Sequence, residues 1–265
     1  MKHVMTSGMI AFLIILSSSL ILAEDEEPLV GDRPDLTEGA TTVGHLRLQI
    51  ETGFGWERFE IGNTEEDFYF MPTLFRLGFG DNFELRLETA AFSKLDINTG
   101  PLETSFSGFS PIGIGMKYNF VEGENLGDPT FGILLAVELP SGTDEFETED
   151  SSVALKLLAS WDFNESLSLG TNVGFTTQKD VFGDNYYAFL GTASLGFGLS
   201  DQIGAFAEVA FNSDDTGDGD SSALFDAGLT FLVNKDLQFD VAAGTGITGD
   251  FAPDFFMTSG VIVRF

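Results

Sequence analysis

The 265-residue chain carries 42 Asp and Glu against 12 Lys and Arg, a formal charge of −30 that excludes general affinity for the phosphate backbone of nucleic acid. It contains no cysteine, which removes disulfides, thiolate metal sites, Cys nucleophiles and a lipid-modified amino-terminal Cys from consideration. Its 28 Phe and 31 Gly are too many for an ordinary soluble domain.

Residues 1–23 read as a signal peptide, with a short basic start, an apolar run and a small residue, Ala23, before the acidic Glu24, Asp25, Glu26 and Glu27. Residues 24–43, which include GDRPDLTEG at 31–39, read as an extended periplasmic lead-in that is also able to enter a lumen. From residue 44 to 265 there is no linker, and segments of roughly ten residues alternate apolar and polar between turn residues.

The first segment, 44–56, sets Leu46, Leu48, Ile50, Phe54 and Trp56 on one face against His45, Arg47, Gln49 and Glu51 on the other. The second is 67–77. The third, 83–92, sets Leu85, Leu87 and Ala91 against Glu84, Arg86 and Glu88, and the fourth, 108–120, sets Ile112, Ile114, Met116, Tyr118 and Phe120 against Lys117 and Asn119. The fifth and sixth, 129–140 and 151–163, turn Leu135, Val137, Leu155 and Trp161 outward, with Glu138, Lys156 and Asp162 behind. Segments at 167–177, 186–199, 203–211, 222–233 and 237–246 follow. The last, 255–265, presents Phe255, Met257, Val261, Val263 and the terminal Phe265 on one face and Arg264 on the other.

The count is twelve, with ten or fourteen as the neighbouring possibilities. Links at 80–82, 164–166, 200–202 and 234–236 are tight and the one at 121–128 is longer but turn-rich, whereas those at 93–107, 141–150 and 212–221 are longer and polar. This alternation predicts an all-β fold: one antiparallel transmembrane barrel with both termini periplasmic and its first and last strands paired, because an open edge in lipid leaves backbone groups unsatisfied.

A soluble sandwich or small barrel also alternates, but it buries its apolar face. Here the opposite face carries Arg47, Glu51, Glu84, Arg86, Glu88, Lys117, Glu138, Lys156, Asp162, Glu208, Asp226, Asp240 and Arg264, too many charges for such a core. The apolar face is therefore expected to meet lipid, with Trp56, Tyr118, Phe120, Trp161, Phe163 and Phe265 in interfacial girdles.

Several blocks resemble one family in the expected order: GDRPDLTEG at 31–39, GHLRLQIETG at 44–53, FRLGFGDNFELRLE at 75–88, IGIGMKYNF at 112–120, ELPSG at 138–142 and LQFDVAAGTGI at 237–247. The family is that of outer-membrane transport proteins named after the meta-pathway of phenol degradation. The resemblance spans nearly the whole mature chain and implies an outer-membrane barrel that passes aromatic or other apolar compounds; it supplies no established binding residues. A terminal Phe like Phe265 also resembles the signal that the barrel assembly machinery reads on such proteins.

The inward set also includes Phe68, Phe70, Leu74, Leu134, Leu158, Tyr186, Leu190, Phe206 and Leu224, whereas a general porin would show a more uniformly polar interior. These side chains either form a patch contacted by a weakly polar solute or fill a closed barrel. The lumenal charges either pair with one another or act as a selectivity filter, and pairing is favoured because unpaired buried charge is costly. The acidic loops, with Asp144, Glu145, Glu147, Glu149 and Asp150 in one and Asp214, Asp215, Asp218 and Asp220 in another, are solvated loops or cation sites; DDTGDGD lacks the terminal Glu of an EF-hand loop.

Enzyme chemistry is not expected. Some outer-membrane barrels are lipid hydrolases using Ser and His, but after signal removal only His45 remains, inward by parity and near the periplasmic end. The sequence thus predicts a passive outer-membrane channel for small apolar or aromatic compounds, without cofactor or metal. Its expected partners are outer-membrane lipid and lipopolysaccharide, the assembly machinery and a small solute. The alternative is a structural or surface-interaction barrel working through its acidic, cation-binding loops.

Overall fold

The computed structural model describes residues 27–180 and 182–265; the expected signal peptide lies outside the described residues. Strands β1 (Leu48–Ile61), β2 (Thr64–Phe79) and β3 (Phe83–Thr99) are joined by tight turns, and β4 (Leu102–Gly108) and β5 (Gly113–Val121) follow. Then come β6 (Pro129–Glu138), β7 (Ser152–Asn164), β8 (Leu167–Lys179), β9 (Asn185–Gly198), β10 (Ile203–Asn212), β11 (Ser222–Asn234), β12 (Leu237–Thr248) and β13 (Phe255–Arg264).

Every successive pair from β5 to β13 is antiparallel, and β13 returns to β1 from Gln49 opposite Arg264 to Arg58 opposite Phe255. The Leu48 and Phe265 backbones exchange N–H to carbonyl bonds in both directions, so the ladder closes at the chain's last residue. Ser93–Thr99 of β3 pairs with β4, and Phe83–Glu88 pairs with β5, in one unbroken register. β4 and β5 are therefore two halves of one wall strand, interrupted at 109–112 around Pro111, which has no amide proton to give. The wall has twelve strands.

Two expectations about the loops are corrected. Residues 93–107 form not a polar loop but the top of a hairpin, because Leu95 and Ile97 keep the two-residue alternation and Gly100, at φ +61°, makes the turn. The stretch between the first two predicted segments is likewise strand on both sides of Gly62. At the other end, β1 starts at Leu48 rather than at residue 44. Gly44 (φ +87°) and Leu46 (φ +55°) turn the chain before it enters the wall. His45, expected inward, is exposed and accepts the Gly80 N–H at 2.9 Å.

The side-chain partition is inside-out. Phe54, Leu85, Leu87, Ile114, Met116, Leu157, Val173, Val209, Leu229 and Val241 are exposed on the outer face, whereas Glu51, Arg76, Glu84, Lys117, Glu208 and Asp226 are buried within. Only a lipid solvent makes that arrangement favourable. Two aromatic groups mark the ends of the apolar band: Phe131 against Phe120 and Trp161 near the carboxy-terminal end, and Trp56 against Phe255 with Phe54 against Tyr69 toward the other. A register shift between Phe70 and Pro72, where proline cannot donate to the ladder, brings Ser93 and Leu95 to the inner face above it.

Candidate solute path

The lumen is occupied. Residues 29–43, expected as a periplasmic lead-in with the option of entering the lumen, run inside the barrel as a strap. The Leu29 N–H donates to the Lys235 carbonyl near the carboxy-terminal end, and the Val30 carbonyl accepts from Gln49 Nε2 (2.9 Å) and Arg76 Nη1 (3.1 Å). Two glycines opposite each other in the wall, Gly53 and Gly260, leave a slot for the Arg33 guanidinium; a Cβ on either would lie about 2.5 Å from it. From that slot Arg33 binds Asp240 Oδ1 (2.9 Å) and Thr258 Oγ1 (2.9 Å).

The strap's acids meet two different walls. Asp32 lies in a cradle of three buried cations from β2, β3 and β5: Arg86 Nη1 at 2.5 Å and Lys117 Nζ at 2.9 Å reach its Oδ2, and Arg76 Nη1 stands at 3.4 Å. Arg76 also binds Glu84 through Nε and Nη2, both at 3.0 Å, and Glu51 Oε1 at 2.9 Å. Burial raises the Asp32 pKa, but Arg76, Lys117 and Arg86 outweigh it and hold the carboxyl well below the usual range. Glu38 takes Arg86 at 3.0 Å and Lys156 at 2.8 Å, which against the cost of burial bring it down to about 2.

The facing wall is acidic. Glu208 of β10 stands directly across from Asp226 of β11, both buried. Glu208 accepts the Leu36 N–H at 2.7 Å and the Thr37 hydroxyl. Asp35, hydrogen-bonded to Ser194, sits beside this pair; burial and then the Glu208 charge push it up to about 7.

Register puts all nine apolar lumenal residues on the inner face, but they do not form one patch. Phe68, Phe70 and Leu74 line β2, where Phe70 lies over Gly55 and stacks on Phe68 at 5.1 Å. Phe68 in turn stacks on Phe146 at 6.2 Å, from a 3₁₀ turn, Asp144–Phe146, in a loop. Leu134 and Leu158 are sealed against Ala40 of the strap. Phe206 packs on Gly228 and lines a cavity of about 370 Å³ beside the strap, with Tyr186, Leu190 and Leu224 farther along that side. Below the aromatic column, Leu74, Glu51, Glu88, Glu138 and Arg33 line a second cavity of about 290 Å³.

Of the charges expected in the lumen, Glu51, Glu84, Arg86 and Lys117 surround Asp32, Lys156 holds Glu38, Asp240 holds Arg33, and Glu208 pairs with Asp226. Arg47 precedes β1 at the carboxy-terminal mouth, and Arg264 binds Asp236 at 2.9 Å in the nearby turn. Sequence reasoning missed Arg76, Asp32, Arg33, Glu38 and Phe146. Arg76 was findable, since it continues the two-residue step of Phe70 and Leu74 along β2.

The pattern of the family described as putative MetA-pathway of phenol degradation matches residues 31–265, strap and barrel together. The chain belongs to this family. Among solved structures it is similar to the COG4313 outer membrane channel from Pseudomonas putida F1, with a TM-score of 0.62 at 9% identity over 92% of this chain and 100% of that one. It is also similar to the KdgM porin (TM-score 0.54, 11% identity, 82% and 99% covered) and to the β domain of the Bordetella autotransporter BrkA (0.55, 11%, 83% and 100%). No curated protein matches at the level of sequence. Its fold is that of the outer-membrane β-barrel channels.

Proposed function

We propose that this channel passes small aromatic or other apolar compounds passively, with both termini in the periplasm, residues 1–23 serving as the export signal and Phe265 as the assembly signal. The observation that carries the reading is the stack Phe146, Phe68 and Phe70, which leads from a loop down the inner face of β2 to Leu74 and the cavity beneath it. A ring gains offset-stacking contacts at each step, whereas a sugar of the same size gains little. The acidic-loop alternative has less support: Asp214 Oδ1 is already engaged by the N–H groups of Thr216, Gly217 and Gly219 in its own turn.

Phe68→Ala combined with Phe70→Ala is expected to lower flux of a neutral phenol derivative several-fold and leave sugar flux unchanged. The measurement uses liposomes with a lipopolysaccharide outer leaflet and a protein-free control, because such aromatics leak through simple bilayers. Equal loss for both solutes would point to a general pore, and no loss for either would remove the aromatic column from the path.

A further inference from the structure

Asp32 is placed as a ligand is placed. Its carboxylate receives Arg86 at 2.5 Å and Lys117 at 2.9 and 3.2 Å, its own backbone N–H goes to Glu51, and Gly39 N–H caps Oδ1 at 2.9 Å. The three cations belong to the fixed wall, whereas the carboxylate is carried in by a chain segment outside the sheet. Without the strap, the three cradle cations Arg76, Arg86 and Lys117 keep only two wall carboxylates in contact, Glu51 and Glu84. The cradle is then short of one negative charge.

We propose that the Arg76–Arg86–Lys117 cradle is a carboxylate-binding site on the solute path, filled in the closed state by Asp32 as a built-in stand-in, and that the channel's solutes include aromatic monocarboxylates which displace it. The inference rests on the aromatic-channel reading and narrows its solute class. The inner face of β2 presents Phe68, Phe70, Leu74 and Arg76 in that order, so a ring travelling down the aromatic residues delivers its carboxylate to the cradle. Successive inward residues are roughly 6.7 Å apart, which puts Arg76 about 20 Å below Phe70. Glu88 and Glu138 line the cavity on the way and repel a bare anion. The apolar body supplies the attraction that chloride or acetate lacks, which is why the class is an aromatic carboxylate.

The chain has no cysteine, so Thr37→Cys gives a single thiol that is buried while the strap is seated. In the reconstituted full-length protein, benzoate is expected to raise the rate of modification by a charged maleimide about tenfold, which corresponds to a shift of about 1.4 kcal/mol in strap docking. Neutral benzamide, or sodium chloride at the same ionic strength, should leave the rate unchanged. Equal acceleration by all three, or by none, overturns the site. Should Thr37→Cys fail to fold, Asp32→Ala reports instead: its lowered heat stability in detergent is expected to recover with benzoate and not with benzamide, and equal recovery or none overturns the proposal. Loss of the benzoate response with selective phenol flux intact rejects the carboxylate site alone, whereas loss of phenol selectivity rejects the channel reading beneath it.

Discussion

Arg76→Met is expected to be the most damaging single substitution in the lumen, costing the folded barrel about 3–5 kcal/mol and unseating the strap. Arg76 is 1% exposed and spends its guanidinium on Glu84, Glu51, the Val30 carbonyl and the Thr41 carbonyl. Methionine fills much of the volume, so the loss is electrostatic: Glu51 and Glu84 stay buried on the two strands that flank β2 with part of their compensation gone. The strap loses two backbone anchors at the same time. The check is the urea midpoint of the barrel in lipid vesicles, together with conductance in a planar bilayer; the midpoint falls and the open fraction rises. Adding Glu84→Gln removes one of the stranded charges and should recover part of the stability, a coupling that unrelated sites would not show. Full additivity of the two changes would mean that the pair is not the source of the loss.

The barrel was legible in the sequence because its rule is local. In a wall with lipid on one side, every second residue must be apolar, so residues 83–88 alone, FELRLE, reveal a face and an orientation. The same rule hid the hairpin at Ser93–Gly108: Lys94, Asp96 and Asn98 gave the segment a loop's composition, although Leu95 and Ile97 preserved the alternation. The strap's place was not legible, for a different reason. Residues 29–43 have no period, and what positions them is pairing with distant partners, such as Arg33 with Asp240 and Thr37 with Glu208. Sequence parity states that Asp240 and Glu208 face inward, but not which cation or hydroxyl reaches them. The nine apolar lumenal residues show the same limit, since facing inward did not determine whether they meet one another, the strap or open space.

Strap docking is expected to be strongest in mildly acidic solution and to weaken as the pH rises toward neutrality, so that channel conductance increases between about pH 5 and 7.5. Asp32 and Glu38 are held low in the docked strap, so their stabilisation is complete above about pH 4.5 and is lost as the pH falls toward 2. Asp35 works in the opposite sense. A free strap would release the Asp35 proton near pH 4, whereas the docked strap keeps it to about 7, because burial and the neighbouring Glu208 disfavour the charge. The docked state therefore binds the extra proton, and docking declines across that interval and levels off above it. The groups facing Asp35 are Glu208 and Ser194 on the wall and Asp32 on the strap, with Asp226 behind Glu208; among the described residues no ion pair is made by Asp35, Glu208 or Asp226. Allowing for partial exposure of Asp35, the decline is on the order of 3 kcal/mol. Asp35→Asn cannot ionise and should keep the strap seated at neutral pH, giving low conductance that no longer changes from pH 5 to 7.5. A pH profile identical to that of the unmodified channel would assign the response to other lumenal acids. An Asp35→Asn channel that opens freely at neutral pH would show that the Asp35 charge helps to hold the strap rather than to release it.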